Sequence, residues 1–186
     1  MKLSLFLFFI LVLISVSHGQ TIAIKTNALY WGTATPNFSI ELGLGKQTSL
    51  NIDGGYNPFT FRHNEKWKHV LIRSEFRYWT CERFYGHFFG LHVGLVEFNI
   101  SKKRIPFVNT LSYRRYEGRG FTVGLSYGYV WVIGNRWNIE ATAGIGFLHT
   151  DYSLYKCNRC SQKQGDFSGN RIIPTKLGLS IVYMLK

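Results

Sequence analysis

Beyond Gln20 the chain has no apolar run long enough to cross a bilayer as a helix, which takes about 20 residues. This excludes a helical membrane bundle. No segment repeats with a period of 20 to 50 residues, which excludes a solenoid or a propeller. Cysteine is limited to Cys81, Cys157 and Cys160, too few for a zinc site without two further ligands, and His149 is the only histidine near Cys157 and Cys160. Gly43-Leu44-Gly45-Lys46 lacks the spacing and the following helix of a phosphate-binding loop. Acidic residues number only 10 against 22 basic ones, a formal charge of +12. So basic a surface suits a polyanionic partner.

What is present begins with an export signal. Met1-Lys2 is a short basic start, Leu5 to Val16 is unbroken and apolar, and Ser17-His18-Gly19 offers small residues before a cut. Residues 1–19 therefore read as a secretory signal peptide, with the mature domain over 20–186. An exported protein rarely meets nucleic acid. Lipopolysaccharide phosphate is the more natural polyanion, with Lys102, Lys103, Arg104, Arg114 and Arg115 as candidate contacts. A merely solvated basic loop explains them equally well.

Glycine is frequent, proline is scarce at four residues, and aromatics make up 17% of the chain. That balance disfavours helices and suits strands. Alternation of apolar and polar residues recurs in eight segments of roughly the 9 to 11 residues a tilted membrane strand needs. Phe121, Val123, Leu125, Tyr127, Tyr129 and Trp131 oppose Thr122, Gly124, Ser126 and Gly128; Ile139, Ala141, Ala143, Ile145 and Phe147 oppose Glu140, Thr142, Gly144 and Gly146. The first segment, about Ile22 to Trp31, is the weakest.

The content of the polar face separates a soluble barrel from a membrane one. It carries Lys25, Arg73, Arg77 and Lys176 with Glu41, Asp53, Glu75 and Glu140, four of each sign, among many glycines. Balanced charge with small residues suits a narrow interior that side chains must fill. Leu, Ile, Val, Tyr and Trp then face lipid. The expected fold is all-β, an eight-stranded antiparallel up-and-down transmembrane β-barrel. Connections near residues 46–48, 80–84 and 134–136 are short, whereas three of the four on the other side, 58–66, 99–117 and 151–170, are long, as expected for periplasmic termini and outer loops; only 32–35 departs from the rule. Two aromatic girdles are expected: Tyr30, Trp31, Tyr56, Phe59 and Trp67 on the outer side, and Tyr78, Trp79, Phe84, Tyr129, Trp131, Trp137 and Tyr183 on the inner.

Several motifs resemble a family of small outer-membrane barrels from Bacteroidota, domain of unknown function 3575. They include Lys25 to Trp31 with Thr35-Pro36-Asn37, Gly54 to Phe59, Lys66 to His69, Glu75 to Trp79 with Cys81-Glu82, Gly86 to Gly90, Tyr155-Lys156-Cys157 with Cys160, and Pro174-Thr175-Lys176. The resemblance implies an outer-membrane barrel, OmpA/OmpX-like in size, with a fimbrial or other surface protein as partner. It implies no activity and no cofactor.

The eight interior charges read as a plug of satisfied salt bridges, with a gated ion path as the alternative. Cys157 and Cys160 read as a local disulfide, with metal binding behind it. His149, Asp151 and Ser153 are the nearest approach to a nucleophile set, but no motif marks Ser153 as activated, and the protein reads as a non-enzyme. Its expected role is structural or surface-interacting, through the outer loops.

Overall fold

The computed structural model describes residues 21–61, 65–101, 115–155 and 162–185. The segments proposed as signal peptide, as the Cys157–Cys160 disulfide and as the Lys102, Lys103, Arg104 and Arg114 contacts lie outside the described residues. Eight strands dominate: β1 (Ile22–Asn27), β2 (Asn37–Gly43), β3 (Thr48–Asn57), β4 (Glu65–Trp79), β5 (Gly86–Ser101), β6 (Arg115–Val132), β7 (Trp137–Tyr155) and β8 (Lys163–Met184). A two-residue piece, Thr60–Phe61, folds back on the start of β4. Every strand pairs antiparallel with its neighbour in sequence, and β1 pairs with β8 from Ala23↔Met184 to Asn27↔Ser180. That last pairing closes the sheet into an eight-stranded barrel at the 180–184 end of β8, whose upper part, 163–179, pairs among the described residues with β7 alone.

Side chains alternate across a strand, and residues directly opposite one another share a face. The alternation seen in the sequence therefore becomes an inside and an outside. Glu41, Asn51, Arg73, Glu75, Arg77, His92, Glu140 and Thr142 are buried within the ring. Phe38, Ile40, Ile52, Ile72, Phe76, Leu91, Val93, Leu125, Ile145, Leu179 and Ile181 are exposed around its outer wall. Interior glycines make room for the long side chains. A Cβ on Gly128 would overlap the Phe88 ring, and one on Gly124 would stand 2.7 Å from His92 Nε2.

Three short connections, 44–47, 80–85 and 133–136, lie at the same end as Ile22 and Met184. The opposite end is lopsided. Strands β5 to β8 run for 16, 18, 19 and 22 residues, while β1 and β2 have 6 and 7. This corrects the expectation of uniform 9- to 11-residue strands, since the described residues 99–101, 115–117, 151–155 and 163–170, read as loop, continue the ladder. The first segment is corrected too. β1 stops at Asn27, whose side chain accepts a hydrogen bond from Leu29 N and starts the helical turn α1 (Ala28–Gly32).

One irregularity matters for the interior. Gly144 pairs with Lys176 but Ile145 pairs with Pro174, so Thr175 is an extra residue in a β-bulge. The bulge turns two consecutive side chains inward: Lys176 Nζ reaches Glu75, and Thr175 Oγ1 lies 2.8 Å from His92 Nε2. Pro174, which has no N–H to donate, sits where the ladder is already interrupted.

Candidate functional site

From the short-turn end upward, the ring interior has three levels. The lowest is an apolar seal of Ala23, Trp79, Phe84, Phe88, Val130 and Val182, with Met184 packed against it. Trp79 and Phe88 are tilted against each other with centroids 4.8 Å apart, and Phe84 lies 5.8 Å from Trp79. Phe84 holds a left-handed backbone at φ 65°, a strain that its burial in this cluster offsets. Trp79 and Phe84 therefore belong to the interior and not to an aromatic girdle. Their positions near a turn hid the face they share with Arg77.

Above the seal stand the eight charges singled out in the sequence, and the structure brings them into one network. Arg77 is its hub. Its Nε donates to Glu75 at 2.8 Å, its Nη1 to Glu41 at 2.9 Å, and its Nη1 and Nη2 to the two Glu140 oxygens at 2.9 Å each. Lys25 bridges Glu41 and Glu140. Lys176 bridges Glu75, with Asp53 farther off at 3.9 Å. Arg73 grips Asp53 with Nε and Nη2 while its Nη1 donates to Thr175 O at 2.7 Å. Neutral groups take up remaining lone pairs: Ser49 on Glu41, Ser126 on Glu75 and Thr142 on Glu140.

Two aromatic residues tie the levels together. The Arg77 guanidinium lies 4.2 Å from the Phe88 ring centroid, and Trp79 Nε1 donates to Ser49 at 2.8 Å. Tyr30, expected in a girdle, instead folds inward from α1 and accepts from Arg73 at 3.4 Å. The charges cancel, four against four. The void among them is about 20 Å³, room for about one water. As a structure, this is a plug.

The third level lies beyond the plug, at the long-strand end, and here the polarity of the wall inverts. Asn57, His69, Phe98, Gly118, Tyr152 and Phe167 form one row of directly opposed residues on the inward face. The next inward row holds Trp67, Ile100, Tyr116 and Leu154. Trp67 thus also leaves the expected girdle for the interior. The outward rows at this height are Glu97–Arg119–Asp151–Ser168 and Lys68–Asn99–Glu117–Ser153–Asp166. Aromatic side chains point in and charged ones point out, the reverse of the lower barrel.

These rows enclose a cup of about 770 Å³, open at the top and touched by β3 to β8. No signal used in the sequence reading would have found it, because a search for apolar-out alternation ends where the alternation changes sign.

The remaining candidates sit on the outer face of this upper wall. Arg115 donates to Glu117 and, at 3.2 Å, to Asn99, and lies 4.7 Å from the Tyr155 ring centroid, so it is engaged by its own neighbours. His149 Nδ1 is 2.6 Å from Asn170 Oδ1 and its Nε2 is 3.6 Å from Asp151. Ser153, however, donates to Asp166 at 2.7 Å and not to His149. Hydrogen bonds from Lys163 and Ser153 hold the Asp166 carboxyl below the usual carboxylate range. Cys81 is exposed at the opposite, short-turn end. No group of three or more metal-ligating side chains occurs among the described residues.

A family model described as "Protein of unknown function (DUF3575)" matches residues 5–185. No curated protein and no solved structure matches.

Proposed function

The chain belongs to the DUF3575 family, and on that premise we propose that it is an outer-membrane β-barrel that conducts nothing and presents a recognition cup at the cell surface. Residues 1–19 serve export. The apolar outer wall contacts lipid, with Tyr78, Tyr129, Trp131, Trp137 and Tyr183 at the periplasmic interface. The long ends of β5 to β8 rise above the bilayer, where their outward face meets water. There Lys68 and Arg119, exposed on the outward rows at the long-strand end, stand near lipopolysaccharide phosphate. A fimbrial or other surface protein is the macromolecular partner that the outer loops would serve.

One observation carries this reading: an open cup stands above an interior filled by a neutral ionic plug and an apolar seal. A conduit needs a continuous wet path, and a void of about 20 Å³ holds about one water. A chemical site needs an activated group, and the Ser153 hydroxyl is committed to Asp166.

Planar-bilayer recording tests the sealed interior. Purified full-length protein inserted in the bilayer is expected to give no steady ion current. A steady current that Arg73→Ala changes would establish the conduit instead.

A further inference from the structure

The cup has a specific wall. Tyr116, Tyr152 and Phe167 form a strip of three rings across β6, β7 and β8. Tyr116 and Tyr152 have centroids 5.6 Å apart, and Tyr152 and Phe167 are stacked at 5.9 Å with 25° between their planes. Neither phenol makes a hydrogen bond among the described residues. Phe167 remains 47% exposed although it faces the cup, so the strip has not collapsed into a closed core.

We propose that this strip is a binding platform for a neutral, linear glycan, whose sugar rings stack on successive aromatic faces; this rests on the proposed surface-exposed cup. Four features of the site point to that class. The spacing of the three rings is comparable to the repeat of sugar rings along a glycan chain. Tyrosine offers an apolar face with a hydroxyl at its edge, matching a sugar's C–H face and hydroxyl rim. Alternation places Glu97, Arg119 and Asp151, which border the cup, on the strand face opposite the strip, so the aromatic strip itself carries no charge. Finally, a volume of about 770 Å³ falls in the range of small-ligand sites, roughly 300–1,000 Å³. Because the plug closes the floor, the glycan is held at the surface and does not pass inward.

The test uses the full-length protein folded in detergent and a panel of neutral hexasaccharides that differ in linkage, with hexagalacturonate as the anionic comparison. Binding is read by titration calorimetry. At least one neutral hexasaccharide is expected to bind saturably at millimolar concentration or below, and hexagalacturonate more weakly. Tyr152→Ala and Phe167→Ala should each weaken that binding by roughly tenfold, the scale of one lost aromatic contact. Tyr152→Phe should retain most of it. Heat-modifiable gel migration confirms that each variant is folded.

Failure of every neutral hexasaccharide to bind the folded protein overturns the glycan platform. So does binding that survives both alanine substitutions, or a preference for the anionic probe. A negative bilayer-current result would leave the sealed barrel standing in any of those cases, so the two proposals fail separately.

Discussion

Arg77→Met is expected to lower the unfolding free energy of the folded barrel by about 3–5 kcal/mol, the cost of breaking a buried ion pair from one side. Arg77 is 1% exposed and holds three carboxylates at once, on Glu41, Glu75 and Glu140. Its removal leaves those three with Lys25 and Lys176 as their cationic partners inside the ring. Methionine keeps much of the volume, so the loss reports charge more than packing. An ion pair on a hydrated surface would contribute about 0–1 kcal/mol, and the gap between the two figures makes the experiment decisive. The measurement is the midpoint and slope of urea unfolding in micelles. Adding Glu140→Gln to Arg77→Met should recover part of the loss, because it removes one of the orphaned charges. A single substitution that leaves the midpoint unmoved would mean that the network is wet.

Leu125→Arg is the second change with a large expected effect, and it probes the opposite face. Leu125 is 65% exposed in the middle of the outer wall of β6, between Phe121 and Tyr129. Against lipid near the bilayer midplane, arginine costs about 2–4 kcal/mol. Against water, a surface substitution of this kind stays within about 0.5 kcal/mol. Arg119→Leu, three outward positions higher on the same strand, is the control, and little change is expected there. Folding into lipid vesicles at graded urea concentrations distinguishes the outcomes. Equal behaviour of the two variants would count against a lipid-facing wall.

The lower barrel was legible because one rule holds there along most of every strand. A period of two, read from Phe121 to Trp131 or from Ile139 to Phe147, assigns inside and outside correctly wherever inside means polar. All eight charged residues picked out by that rule lie in the interior network. The upper barrel was not legible for the same reason. At Phe98, Tyr116, Tyr152 and Phe167 the strand continues but inside now means aromatic, so the pattern reads as an ending when it is an inversion.

Two smaller misses have local causes. The bulge at Thr175 places adjacent residues on one face, which no strict alternation can represent. Trp79, Phe84 and Tyr30 resemble interface aromatics by position near segment ends, yet their side chains close the two ends of the plug.

In the proposed membrane placement, the exposed apolar wall lies in lipid while the charged outer rows above it lie in water. Single cysteines at 125 and 119, in a protein with Cys81, Cys157 and Cys160 changed to serine, can carry a fluorophore into vesicles whose acyl chains are brominated. Strong quenching at 125 with little at 119 is the predicted result; equal, weak quenching at both positions would contradict it.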